Sequence, residues 1–351
     1  MRLGSRLACR VMEHRTLGSS GLKVSRLALG AMTFGESEGF MKGVTSSEDE
    51  ARRMLDRALD VGIDTIDTAN VYSEGRSEEL VGRWLKGKRE KVVLATKCRF
   101  PTSGVVQTAG PHEYGLSRKA ILKACEDSLR RLGTDYIDLY QVHMQDRAVP
   151  IEETLSALTD LLRQGKVRYL GCSNYAGYRL VESLWAADRR GFEPFVSIQL
   201  QWSLAVRDAE RELIPACHAF GLGTLVWSPL ARGILSGKYQ RGQSAPAGSR
   251  LASWQETYKQ FDNDRCWAVL DAVRAVAKRC ETTPAAVALG WLLVRPEVTS
   301  ILVGARDVRQ LDENLRSLEV TFDADDLALL DRASTPEWGY PYAFIGAREP
   351  W

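Results

Sequence analysis

The sequence predicts a closed (β/α)8 barrel, and three observations predict it. Eight short, nearly continuous apolar runs punctuate the chain, at 27–29, 65–66, 92–95, 137–142, 167–170, 196–200, 224–226 and 301–303. Amphipathic stretches separate them, so parallel strands buried on both faces alternate with helices. Two connections, 99–116 and 228–263, are much longer than the rest, and both follow strand C-termini, the end at which barrel enzymes build their sites. An open doubly wound sheet is the rival arrangement of the same alternation.

Taken in order, residues 1–12 hold Arg2, Arg6 and Arg10 among small and apolar residues, faintly like a transit peptide but without a signal-peptide apolar core. They are expected to form a disordered extension, with the fold starting near Met12. Ser47 and Glu50 are spaced as a capping box, Ala51, Met54, Leu55, Ala58 and Leu59 share one helical face, and Gly62 stops the helix. Ser117 opens a second helix through Ile121, Cys125, Leu129 and Leu132, closed by Gly133. The pattern repeats from Ile151 to Leu162, from Leu213 to Phe220 and from Val308 to Leu318, with a last helical stretch at 323–332. Nothing divides the composition, so one barrel domain is expected over 13–335, followed by a tail, 336–351, dense in aromatics from Trp338 to Phe344. The tail either folds over the site or packs outside.

Lys plus Arg total 47 and Asp plus Glu 45, a net charge of +2 without the basic excess of a nucleic-acid binder. No run of eighteen uncharged apolar residues is long enough to span a membrane. Seven scattered cysteines, none at C-x-x-C spacing, read as reduced thiols of a cytoplasmic protein, and four histidines without an H-x-x-x-H pair make a bound catalytic metal unexpected. No heptad seam indicates an oligomer.

Polar residues at strand ends are the first candidates for chemistry. Asp67 ends the second strand, Tyr72 follows five residues on, Lys97 ends the third strand and His143 the fourth. Singly, each has an ordinary reading: a helix-capping acid, a packing tyrosine, a solvated lysine, a structural histidine. Together they form general acid–base equipment without a metal. The carboxylate holds the ammonium, the ammonium lowers the phenol's pKa, and the imidazole orients a carbonyl oxygen. A lysine at a barrel strand end could instead form a Schiff base, but an adjacent carboxylate that holds its charge weighs against this.

The block 62–82, GIDTIDTANVYSEGRSEELVG, resembles the signature of the aldo-keto reductase family, and Arg15-Thr16-Leu17-Gly18 with Gly21-Leu22-Lys23-Val24-Ser25 resembles that family's opening, normally a hairpin closing the barrel bottom. The resemblance covers about 14–320. It implies that Tyr72, Lys97, Asp67 and His143 are the catalytic four, with Tyr72 the general acid in reduction, and that hydride comes from nicotinamide C4.

No G-x-G-x-x-G is present, so a Rossmann pyrophosphate turn is not expected. The resemblance implies that NADP(H) is held by Thr33 and Asp67; by Ser173, Asn174 and Gln199 at the nicotinamide carboxamide; by the segment Trp227, Ser228, Pro229 and Leu230, its indole on the nicotinamide face; and by Lys238 and Arg250 at phosphates. Gly304, Arg306, Gln310, Glu313 and Asn314 would complete the site, with Arg306 on the 2′-phosphate and the adenine near Glu313 and Asn314. Taken alone, Ser173-Asn174 could be a helix N-cap and Trp227 a core residue. Residues 305–310 open the last helix, whose N-terminus favours anions. Phe34 and Tyr114, with Tyr72 and His143, are expected to wall the substrate pocket.

The expected activity is therefore NADPH-dependent reduction of a small-molecule aldehyde or ketone. Block order and spacing resemble the longer bacterial-type branch, which includes deoxysugar reductases and potassium-channel β-subunits. A second reading is thus a cofactor-binding regulatory subunit or redox sensor with vestigial turnover. Channel subunits commonly carry Asn where this chain has His143.

Overall fold

A hairpin of two short antiparallel strands, β1 (His14–Thr16) and β2 (Lys23–Ser25), precedes the barrel. The computed structural model describes residues 12–39 and 41–348. The expected extension lies outside the described residues except for Met12, as do the last three residues of the tail.

The chain then alternates as β3 (Leu27–Gly30), α1 (Glu48–Asp60), β4 (Thr65–Asp67), α2 (Arg76–Leu85), β5 (Val93–Cys98), α3 (Arg118–Leu132), β6 (Ile137–Val142), α4 (Ile151–Arg163), β7 (Val167–Ser173), α5 (Gly177–Arg190), β8 (Ser197–Gln201), α6 (Leu213–Phe220) and β9 (Gly223–Trp227). The long segment after β9 carries α7 (Arg250–Ser253) and α8 (Gln255–Phe261), and α9 (Asp264–Arg279) and α10 (Pro284–Leu293) lead to β10 (Ser300–Val303). After it come α11 (Val308–Leu315), α12 (Ala324–Ser334) and, in the tail, α13 (Tyr342–Gly346). Strands β3 to β10 form a closed parallel barrel in which β10 pairs with both β9 and β3. All eight apolar runs are strands. Several strands extend past their apolar runs: β5 reaches Cys98 and β7 Ser173, because backbone pairing continues while the inward side chains turn polar.

The hairpin plugs the lower end. Leu17 and Val24 are buried against Ala28, Ala95, Leu139, Leu225 and Leu302 in the barrel interior. Gly18, at φ +59, brings its backbone so close that an added Cβ would lie 2.5 Å from Gly223 N and from Val196 O. The Ser19 N–H donates to Gly221 O at 2.8 Å. Beside the plug, the buried Arg26 guanidinium donates to the carbonyls of Leu293, Val298 and Thr299, at 3.1 Å for the last, and burial pulls its pKa down to about 10. This cation fastens β3 to the segment entering β10.

Helix starts follow the sequence with one difference. Ser47 Oγ accepts from Glu50 N at 3.3 Å, but the Glu50 carboxylate does not turn back to close the box. It takes the Val308 N–H at 2.9 Å and so ties α1 to the start of α11. Tail residues 336–348 keep to the outside of the cavity described below. Tyr342 donates to Glu212 and lies under the Arg211 guanidinium, while Tyr340 and Phe344 are exposed. No helix among the described residues is long and apolar enough to cross a membrane.

Candidate active site

At the C-terminal end of the barrel a cavity of about 840 Å³ opens between the loops. Its floor holds Asp67, Tyr72 and His143, with Lys97 fully buried behind Tyr72. Register brings these together: Asp67 of β4 pairs with Ala95 of β5, and Lys97, two residues on, pairs with Gln141 of β6.

The Lys97 ammonium donates to Asp67 Oδ1, to Thr68 O at 2.9 Å and to the Tyr72 hydroxyl at 3.2 Å. The other Asp67 oxygen accepts from Gln141 Nε2 and Gln199 Nε2, both at 2.9 Å. All three donors that an ammonium owns are thus used, and the buried carboxylate is satisfied on both oxygens. Burial alone would drive Lys97 down, but Asp67 and then Tyr72 reverse this and hold it above its ordinary value. Burial raises the Tyr72 phenol, and the opposing pull of Lys97, itself countered by Asp67, does not undo it. Lys97 does lower the phenol, as the sequence predicts, but desolvation of the buried phenolate outweighs the neighbouring cation, so the net shift is upward.

Tyr72 owes its place to a strained turn. Ser73, Glu74 and Gly75 all have positive φ (47°, 54° and 90°), and Ser73 Oγ donates to Gly35 O at 3.0 Å to hold the turn. A non-glycine residue in this region costs about 1–2 kcal/mol, a strain of the kind that gathers at functional sites. The His143 ring lies near-perpendicular to the Phe100 ring, centroids 5.1 Å apart, and to the Tyr72 ring, 5.7 Å apart. Burial, then Lys97 and Arg99, push its pKa well below 6.5, so the ring is neutral.

The remaining residues named from the sequence divide as follows. Thr33, Gly304 and Trp227 line the cavity, and Thr33 Oγ1 donates to Ala305 O at 2.9 Å. Asn174 lines it from a left-handed backbone, φ +53, with its amide nitrogen on His143 O at 2.8 Å and Ser173 Oγ at 3.0 Å. Ser173 lies buried beneath it, outside the cavity wall. The helix that follows has Ala176 at its N-cap, so neither residue caps it. Gln199 reaches the floor with its amide nitrogen committed to Asp67 and Gln141. Ser228, Pro229 and Leu230 line the wall beside Trp227. Lys238, Arg250 and Arg306 converge at the far end, with Gln310, Glu313 and Asn314 beyond.

Two placements differ from the sequence reading. Phe34 is fully buried in the core, and Tyr114 does not line the cavity; Phe100, Val71, Met32 and Trp254 stand in the wall instead. The N-terminus of α11 is already capped, since Asp307 accepts from Gln310 N at 2.8 Å and Glu50 from Val308 N. An anion here would meet basic side chains beside an N-terminus with two of its N–H groups already taken. Those side chains are strongly basic: burial, Arg306 and Arg232 bring Arg250 down to about 10, and burial, Arg306 and Arg250 lower Lys238. No ion pair to Arg232, Lys238, Arg250 or Arg306 occurs among the described residues. Lys238 and Arg250, each lowered by cationic neighbours with no carboxylate between them, form with Arg306 a seat for a polyanion.

Sequence reading passed over Gln141, although strand alternation carries the signal: it lies two residues before His143 in Leu139-Tyr140-Gln141-Val142-His143, so both face inward.

The aldo/keto reductase family model matches residues 26–335. The uncharacterized oxidoreductase YrpG of Bacillus subtilis is 38% identical over 328 residues, 91% of this chain and 95% of that protein. Versiconal hemiacetal acetate reductase of Aspergillus parasiticus is 35% identical over 345 residues, 94% and 99%. A putative voltage-gated potassium channel subunit beta of Schizosaccharomyces pombe is 36% identical over 314 residues, 87% and 88%.

Proposed function

The chain belongs to the aldo/keto reductase family, and we propose that it reduces an aldehyde or ketone to the alcohol with NADPH. The observation that carries this reading is the Asp67–Lys97–Tyr72 series, which ends in a protonated phenol facing a cavity beside a neutral imidazole. Nicotinamide cofactors are general in the family, and the bound cofactor supplies the hydride. Lys238, Arg250 and Arg306 suit its phosphates. Trp227 offers a flat face for the nicotinamide, and Asn174 and Gln199 offer amides near it. Arg306, with a planar five-donor fork, suits the monoester that distinguishes NADPH from NADH.

The chain's own residues then act in order. The carbonyl oxygen is accepted at Tyr72 and His143, whose neutral imidazole orients it. Tyr72 gives its proton to that oxygen as negative charge develops. Lys97 stabilises the phenolate left behind, and Asp67, steadied by Gln141 and Gln199, keeps Lys97 charged and in place. A Schiff base on Lys97 would need a neutral amine, which the Asp67 contact opposes. The barrel and its tail act as one domain in the cytoplasm.

The channel-subunit relative favours a second reading, a cofactor-binding regulatory subunit with vestigial turnover. Steady-state oxidation of NADPH with benzaldehyde decides between them: sustained turnover of about 1 s⁻¹ or more, within the ordinary enzyme range, is expected. Tight NADPH binding without turnover of any of a panel of aldehydes would select the regulatory reading.

A further inference from the structure

A second cavity of about 290 Å³ adjoins the first. Gln201, at the end of β8, Gln260, Asn263 and the two arginines Arg232 and Arg265 are among the residues that line it. Arg232 also lines the large cavity, so this residue borders both. We propose that this side chamber takes the carboxylate end of an oxo-acid substrate whose carbonyl lies at Tyr72, with Arg232 and Arg265 as its anion-binding residues. The inference rests on the reductase reading and narrows it to a substrate class.

The charge balance points to an anion. Among the described residues, no acid lines the chamber. The acids nearby are already engaged: Asp262 accepts from Trp267 Nε1 at 2.8 Å, Glu210 accepts from Arg207 at 2.6 Å and Trp202 at 2.8 Å, and Asp331 takes Arg207 at 3.3 Å and Arg295. Arg265 donates only to the Ser334 carbonyl, at 3.2 Å, and neither arginine has an ion pair among the described residues. A guanidinium fork facing a cavity without a carboxylate matches a planar carboxylate by paired hydrogen bonds.

The backbone commits Arg232 to this place. Ala231 and Arg232 are both left-handed, at φ 48° and 58°, and the Arg232 N–H donates to Ser228 Oγ at 2.9 Å. Such strain persists only where surrounding contacts over-determine it. The Trp254 ring, 5.6 Å away, takes one side of the guanidinium. The chamber is slightly below the range of about 300–1,000 Å³ usual for whole-ligand clefts, which suits one end of a substrate rather than a separate ligand.

The test compares 4-formylbenzoate and 4-formylcinnamate with their methyl esters, in the wild type and in Arg265→Ala, which alters the side chamber without touching the large cavity. The expected result is that at least one acid exceeds its ester tenfold or more in kcat/KM, chiefly through KM, and that Arg265→Ala removes most of this preference while ester turnover and NADPH affinity stay unchanged. Equal kcat/KM for acids and esters in the wild type overturns the proposal, as does a preference that survives Arg265→Ala. Loss of NADPH affinity in Arg265→Ala also overturns it, by assigning the chamber to the cofactor. If neither acids nor esters turn over, the reductase reading itself fails. Calorimetric titration with terephthalate then judges the chamber alone: binding lost in Arg265→Ala upholds it as an anion site, and absence of binding refutes it.

Discussion

The Lys97 ammonium lies 3.2 Å from the Tyr72 hydroxyl, yet the phenol is held above its ordinary pKa of 10.0. Burial of the Tyr72 side chain keeps the acid protonated, and the buried Lys97 cation stabilises its phenolate. Tyr72 is therefore loaded with its proton throughout the neutral range, and Lys97 serves the phenolate only once it forms.

Replacing Tyr72 by Phe removes the donor and keeps the ring against His143. Turnover is expected to fall about 100- to 10,000-fold, the usual worth of a positioned general acid. NADPH binding, followed by tryptophan quenching, should stay within about twofold. Parallel loss of both would assign Tyr72 to cofactor binding instead.

The pH profile tests His143. Its pKa is pushed well below 6.5, so the ring is neutral on both sides of that value, and kcat for reduction should show no break near pH 6.5. The alkaline limb should lie above 10, where Tyr72 loses the proton it must give. Stability has the matching sign. The unfolded chain protonates this histidine below 6.5 and the folded one does not, so stability falls as pH drops below 6.5, and part of that slope disappears in His143→Gln. A kinetic break at 6.5 would show that His143 titrates freely.

Arg306→Ala separates the two nicotinamide dinucleotides. A hydrogen bond to a charged group is worth about 1.5–3 kcal/mol, so NADPH should weaken about tenfold to a hundredfold. NADH should change little. Equal weakening of both would move Arg306 from the 2′-phosphate to the pyrophosphate.

Gly171 of β7 tests the floor. A Cβ there would lie 2.9 Å from Ser197 Oγ and 3.1 Å from Gln141 Cγ. Gly171→Ala pushes on Gln141, one of the two amides that steady Asp67. The expected cost is about 1–3 kcal/mol of stability in urea unfolding, with a drop in kcat larger than any change in NADPH affinity. An unchanged kcat in a folded variant would show that Gln141 need not hold its position.

The barrel was legible because its strands are buried on both faces, so each leaves an unbroken apolar run, and Asp67, Lys97 and His143 stand at the ends of such runs. Helix starts were legible wherever a side chain makes the cap, as at Ser47 and Ser117. Glu50 shows the limit: its spacing suits a local box, but a distant N–H at Val308 offers the carboxylate a better-placed donor. The cavity walls were the least legible part. Phe34 and Phe100 are the same residue type in loops after the barrel strands β3 and β5, and only tertiary packing sends one to the core and the other to the site. The direction of the Tyr72 shift was also hidden, since it is set by burial in the folded barrel and not by any neighbour in the sequence.

The cation at the barrel seam has a consequence for how the protein is made. Among the described residues, the Arg26 guanidinium finds its acceptors at Leu293, Val298 and Thr299, and the outer edge of β3 finds its partner at Ile301–Val303. Synthesis proceeds from the N-terminus, so the nascent chain carries an open strand edge and an unhoused guanidinium until nearly 300 residues have been joined. During that interval water solvates the arginine, and a charge beside the open edge opposes its pairing with another chain. The residue that locks the finished barrel therefore also guards the unfinished one.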